Sequence, residues 1–169
     1  MTNLAPQDAS RATLAYSETE DRISLTCAIS GHRATLWLTS RLVKRLAPPL
    51  LAIAERVPAK CGADEINKVD ATIPQSMPDL ESPVMAAPGD PSFLVSAVDI
   101  VNGPMILCLQ FRGGDNQAPV RLSLEHGQIA NWLQGLRRCS EAATWSLGFW
   151  VPDTDSGLTG QFTKQVLIH

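Results

Sequence analysis

The chain has 169 residues, 44% of them hydrophobic, with 14 lysines and arginines against 17 aspartates and glutamates. A single domain of this length buries roughly 70% of the surface of its unfolded chain, so the fold needs no metal or disulfide staple. The net charge of −3 and isoelectric point near 5.5 disfavour a constitutive nucleic-acid binder, and no apolar run approaches the ~20 residues of a membrane span.

Residues 1–12 read as a flexible N-terminus, without the basic head or apolar run of a secretory signal, so the expected location is cytoplasmic. A first strand-strand-helix half follows over residues 13–59. Ile23, Leu25, Cys27 and Ile29 alternate with Arg22, Ser24, Thr26 and Ala28, the period of two that predicts a strand over 22–29 with one buried face. Ser30, Gly31 and His32 supply turn chemistry, and Ala34, Leu36 and Leu38 resume the alternation, which makes a β-hairpin. Trp37 falls on the opposite strand face. It is expected to be exposed at an interaction surface, or covered by another part of the chain.

From Ser40 the period becomes helical through Leu42, Val43, Leu46, Leu50, Ile53, Ala54 and Val57, with Arg41, Lys44 and Arg45 outward and Thr39 or Ser40 as N-cap. Pro48 and Pro49 would remove bonds to the carbonyls of Lys44 and Arg45, so the helix is expected to bend or split there and to end at Pro58. Residues 60–92 read as an acidic, proline-rich linker, with one basic and six acidic side chains over 61–92.

A second half over 93–151 repeats the grammar. Leu94 to Val101 reads as a strand, Met105, Leu107, Leu109 and Phe111 line the next, and Val120, Leu122 and Leu124 line a third after a turn over 113–119. A helix is expected from about His126 to Glu141, with Ile129, Trp132, Leu133, Leu136 and Ser140 inward and Arg137 and Arg138 outward. A shift of 86 positions superposes Leu36 on Leu122, Val43 on Ile129, Leu46 on Trp132 and Leu50 on Leu136, a pattern consistent with an internal duplication or with two unrelated units. Residues 152–169 read as a flexible tail whose Phe162–Ile168 end is expected to form a last strand or to dock on another chain by adding to an exposed sheet edge.

The predicted class is α+β: two strand-strand-helix halves sharing a mainly antiparallel sheet of four to six strands, with both helices packed on one face in two layers. No constellation for catalysis or metal binding emerges. Cys27, Cys61, Cys108 and Cys139 are far apart and read as reduced structural thiols. His32, His126 and His169 are expected at the surface. Ser123, Glu125 and His126 are close in sequence, but a strand face and a helix start do not assemble a triad. Gly113-Gly114 lacks the lysine and hydroxyl of a phosphate loop, and Asp99 has no partner carboxylate.

The basic residues Arg41, Lys44 and Arg45, with Arg137 and Arg138, read as solvated helix faces or, side by side, as a docking surface for an acidic partner segment or nucleic-acid phosphates. The expectation is therefore a non-enzymatic protein-interaction module without cofactor, its partner another protein or a second copy in a homo-oligomer. The alternative is a small-molecule-binding or sensory domain with its pocket between the halves, where Asp99 or an arginine orients a polar ligand.

Overall fold

The period-two segments become strands and the amphipathic stretches become helices in the computed structural model, which describes residues 4–56 and 83–150. The order is β1 (Gln7–Ser17), β2 (Arg22–Ile29), β3 (His32–Leu38), α1 (Ser40–Arg56), β4 (Ser92–Leu94), β5 (Ala97–Asn102), β6 (Ile106–Arg112), β7 (Val120–Glu125) and α2 (His126–Ala142). The α+β class holds. The sheet has seven strands rather than four to six, in the order β4-β3-β2-β1-β7-β6-β5. Its ladders are antiparallel except β1 with β7 and β3 with β4, which are parallel.

Register follows from the alternation. In the first half the rows Tyr16–Ile23–Leu38, Leu14–Leu25–Leu36 and Ala12–Cys27–Ala34 face inward. In the second half the rows are Val98–Phe111–Val120, Ile100–Leu109–Leu122 and Asn102–Leu107–Leu124. A slip of one residue in any strand would turn these side chains outward, and each fully buried leucine is worth about 1.5–3 kcal/mol, so the register is strongly fixed. The stripes Val43, Leu46, Ala47, Leu50 of α1 and Ile129, Leu133, Leu136 of α2 complete the same core.

Three expectations are corrected. First, β1 begins at Gln7, within the stretch read as a flexible N-terminus: Ala12, Leu14 and Tyr16 give it an inward face, but the apolar Ala15 between them and the small Ala12 blur the alternation. Second, α1 runs unbroken from Ser40 to Arg56 through Pro48 and Pro49. Both prolines lie on the exposed side while Ala47 and Leu50 beside them are buried, so packing of the stripe holds the helix across the lost bonds. Thr39 is its cap, its hydroxyl accepting from the Leu42 N–H at 3.3 Å.

Third, the end of the stretch read as a linker is packed structure. Val84 is buried and donates its N–H to Thr13 Oγ1 at 2.9 Å. Arg33 donates to the Met85 carbonyl at 2.8 Å and pairs with Asp90 at 3.3 Å, and the Thr35 N–H reaches the Pro91 carbonyl at 2.9 Å. Residues 83–91 thus strap the outer face from β1 to β3. This accounts for the burial of Thr26 and Thr35, which lie in the outward row Thr13–Thr26–Thr35 beneath the strap. Residues 60–82 of that stretch, and the tail over 152–169, lie outside the described residues.

The strand expected over Leu94–Val101 is two strands that share one path. β4 pairs with β3; Val95 still donates to the Trp37 carbonyl at 3.0 Å; Ser96 already donates to the Arg112 carbonyl at 2.8 Å; and β5 continues on β6. The chain changes partner between two consecutive residues, so one segment joins both ends of the curled sheet. Its buried Phe93 packs close to Gly113 at the end of β6.

Candidate functional site

β1 behaves like the β4–β5 path. It pairs parallel with β7 only at Gln7–Ala9, shifts register between Ala9 and Arg11, and then continues to Ser17 along β2. Each half is therefore a short parallel contact with the other half, a break, a three-stranded meander and a 17-residue helix, and α2 begins 86 positions after α1.

The breaks open cavities. Where β1 leaves β7 there is a cleft of about 630 Å³. Its walls are Ser10, Arg11, Ala12, Thr13 and Leu14 on β1 and Leu122, Ser123 and Leu124 on β7; α2 contributes Gln128, Asn131, Trp132 and Gly135, and Pro83 and Val84 of the strap complete the lining. Where the β4–β5 path leaves β3 the cavity is only about 200 Å³. All seven residues of the smaller cavity have their 86-position counterparts in the larger: Leu42, Arg45 and Leu46 match Gln128, Asn131 and Trp132, and Ser96, Ala97, Val98 and Ile100 match Ser10, Arg11, Ala12 and Leu14. The two openings occupy equivalent places in the repeated frame. One is small and lined mainly by aliphatic side chains with Arg45 and Ser96; the other is wide and carries amides, hydroxyls and an indole.

The polar groups of the wide cleft are partly committed. The Gln128 amide oxygen accepts from the Glu125 N–H at 2.9 Å in a capping box that starts α2. Ser10 donates to the Ala28 carbonyl at 3.2 Å, and Thr13 holds the strap. Trp132, expected in the core, is half-buried along the cleft wall, and its Nε1 is buried without a hydrogen-bond partner among the described residues. Past Ala9, β1 has no backbone bond on its β7 side among the described residues. Ser10–Leu14 of that edge line the cleft.

The residues singled out from sequence lie elsewhere. Trp37 is half-buried on the outer face of β3, beside Ser24 of β2 and Leu94 of β4. Arg41, Lys44 and Arg45 are exposed on α1, with Arg45 at the smaller cavity. Arg138 is exposed, while Arg137 pairs with Glu141 at 2.8 Å and lines a third cavity, a groove between α1 and α2 with Leu51, Ala54, Glu55, Asn131, Phe149 and Trp150. The two basic groups thus share none of these three cavities. Asp99 pairs with Arg112 on the outer face and lines none of these openings.

Chemistry at the remaining candidates is subdued. Burial pushes the Cys27 thiol up to about 12 and raises that of Cys139, the opposite of what a nucleophilic thiolate requires. His126 Nε2 lies 3.2 Å from Asn102 Oδ1, while Ser123 faces the cleft. Among the described residues no three metal-ligating side chains converge, and no helix is long and apolar enough to cross a membrane. Comparison with protein-family models, with curated proteins and with solved structures finds no match for this chain.

The cleft lining was missed in the sequence because it is assembled from β1, β7, α2 and the strap. The 86-position shift holds its one signal: it sets Trp132 against Leu46 and Gln128 against Leu42, so the second helix has larger or more polar groups where the first has leucines.

Proposed function

We propose that the protein is a non-enzymatic, cytoplasmic protein-interaction module that takes an extended polypeptide segment into the β1/β7 cleft as an added strand. The observation that carries this reading is the β1 edge: β1 continues to Ser17 past its last β7 partner at Ala9, and Ser10–Leu14 of that stretch line an open cleft. Strand addition supplies main-chain hydrogen bonds for affinity, and flanking pockets select alternate side chains. Leu14, Leu124 and Trp132 offer the apolar contacts and Asn131 and Ser123 the polar ones. We read the architecture as two layers, a mainly antiparallel sheet with both helices on its inner face, so that α2 forms the floor under the open edge. A small-molecule site is the second reading. It is favoured by the cleft volume, which falls within the ~300–1,000 Å³ of ligand pockets.

The test is selection of random ten-residue segments, displayed on phage, against the full chain. Selected segments are expected to bind and to lose about tenfold or more in affinity to Ser123→Trp, which fills the cleft from an exposed β7 position. Glu55→Trp, which fills the groove between the helices instead, should leave binding unchanged. Failure to select any segment, or binding indifferent to Ser123→Trp, refutes the proposal.

A further inference from the structure

We infer that the N-terminal half of α1 is a second docking surface, separate from the β1/β7 cleft, and that its occupant is an acidic polypeptide segment carrying an aliphatic residue. Helical spacing sets the surface. Arg41, Lys44 and Arg45 stand at i, i+3 and i+4, so they share one face of α1, and all three are exposed. They are also unpaired. Arg22, Arg33, Arg112, Arg121 and Arg137 each have a carboxylate partner, whereas the side chains of Arg41, Lys44 and Arg45 have no ion pair or hydrogen bond among the described residues. No acidic residue in the first turn of α1 offsets them. Their 86-position counterparts on α2 are Gly127, Ala130 and Asn131, so the charge belongs to this half and not to the repeated frame.

The same turns of α1 border the smaller cavity. Arg45 lines it together with Leu42 and Leu46 of α1, Ser96, and Ala97, Val98 and Ile100 of β5. Its volume of about 200 Å³ is below the ~300–1,000 Å³ of small-molecule pockets and suits a single aliphatic side chain. Ser96 is already committed, its hydroxyl donating to the carbonyls of Arg112 and Gly113 at 3.2 and 3.0 Å, and Asp99 on β5 pairs with Arg112. Arg45 is therefore the uncommitted polar side chain at the cavity.

A cationic rim around an aliphatic pocket sorts partners by charge. Single exposed ion pairs add little, so a side chain in the cavity supplies the anchor, while the three cations speed encounter with acidic segments and reject basic ones. Arg41 to Arg45 spans about 6 Å of helix axis, a reach suited to two or three carboxylates on a few successive residues. Nucleic acid fits less well. The exposed stripe continues into Pro48, Pro49 and Ala52, which carry no charge, so the cations do not extend along a run of phosphates, and the whole chain stands at −3.

The experiment is fluorescence anisotropy on the full chain with labelled decapeptides that carry three glutamates at varied spacing around one leucine. Companion sets have glutamine for glutamate, or serine for leucine. Members of the glutamate–leucine set are expected to bind about tenfold or more tightly than their glutamine counterparts, with the difference shrinking as salt is raised. Arg41→Gln/Lys44→Gln/Arg45→Gln should abolish that preference. Arg138→Gln, at an exposed cation on α2, and Ser123→Trp, in the other cleft, should leave it intact. Ala97→Trp, which fills the smaller cavity from an exposed β5 position, should bring the leucine peptides down to the affinity of the serine peptides. Charge reversal separates recognition from a structural role: Arg41→Glu/Lys44→Glu/Arg45→Glu should bind peptides with lysine in place of glutamate. Equal binding of the glutamate and glutamine sets overturns the inference, as does an absence of binding, a preference that survives the triple glutamine variant, or a single-stranded DNA decamer that binds more tightly than the glutamate–leucine peptides.

Discussion

Gly113→Ala tests the join between the two ends of the sheet. A Cβ built on Gly113 lies 2.5 Å from Cδ2 and 3.1 Å from Cε2 of the Phe93 ring and also overlaps the Gln117 side-chain oxygen. Gln117 is exposed and moves away cheaply, but Phe93 is only 9% exposed and belongs to the strand that carries the chain from β3 to β6. Carbon atoms pack best at ~3.5–4.0 Å, so the ring must retreat by about 1 Å. Overpacking of this kind costs about 1–3 kcal/mol, partly offset by the ~0.4–1 kcal/mol that replacing glycine contributes through the unfolded chain. Gly114→Ala is the control, because nothing stands within 4 Å of its Cβ position. Urea unfolding should show Gly113→Ala destabilised by about 1–2 kcal/mol and Gly114→Ala unchanged or slightly stabilised, with equal m-values. Phe93→Leu should restore part of the loss only in the Gly113→Ala background. Equal midpoints for the two alanine variants would mean that Phe93 does not pack against the end of β6, and the joined-sheet description would be wrong.

Two further predictions concern the core and the strap. Because the buried Cys27 thiol sits at about 12, above its unfolded value, the folded state holds its proton longer; stability is complete below the unfolded value and falls as pH rises toward 12. Between about pH 9 and 11 the wild type should lose roughly 1.4 kcal/mol per pH unit more than Cys27→Ala, and parallel slopes in the two unfolding series would contradict this. Deleting residues 70–82 should leave the melting temperature within a few degrees, whereas deleting 70–90 removes Val84, the Met85 carbonyl and Asp90 from the outer face and should lower it clearly. Equal melting of the two deletions would show that the strap contributes nothing.

What the sequence makes legible is whatever repeats locally. The alternation at Ile23–Ile29 and the stripe from Val43 to Leu50 depend only on neighbours, and both elements lie where the pattern puts them. β1 is harder to see because only half of its length faces a full core, so Ala12, Leu14 and Tyr16 stay partly exposed and alternate with polar residues. The strap is harder still. Its prolines suit an irregular path, and what fixes it are Thr13 and Arg33, distant by 71 and 52 positions from the groups they bond. Trp132 shows the same limit at the site: helical spacing puts it on the inner stripe, but only the departure of β1 from β7 decides that it meets a cleft.

The two cavities permit an argument that neither would support alone. They share a frame, since the lining positions of the smaller recur in the larger at a constant offset, so the difference in volume arises from side chains and strand spacing and not from topology. At the smaller, Leu42, Leu46, Val98 and Ile100 supply aliphatic lining beside Arg45 and Ser96, and the opening narrows to about 200 Å³. At the larger, Gln128 replaces Leu42 and is held by the helix cap, Asn131 and Arg11 bring polar groups, and Gly135 stands where α1 has the exposed Pro49. An opening lined this way does not close by hydrophobic contact alone, because Gln128, Asn131 and Arg11 are exposed and closing over them would leave polar groups in need of hydrogen-bond partners. The strand edge of β1 has the same requirement along its backbone. On the proposed reading both are met together by one extended segment, which would offer main-chain donors and acceptors to the edge and alternate apolar side chains to Leu14 and Trp132.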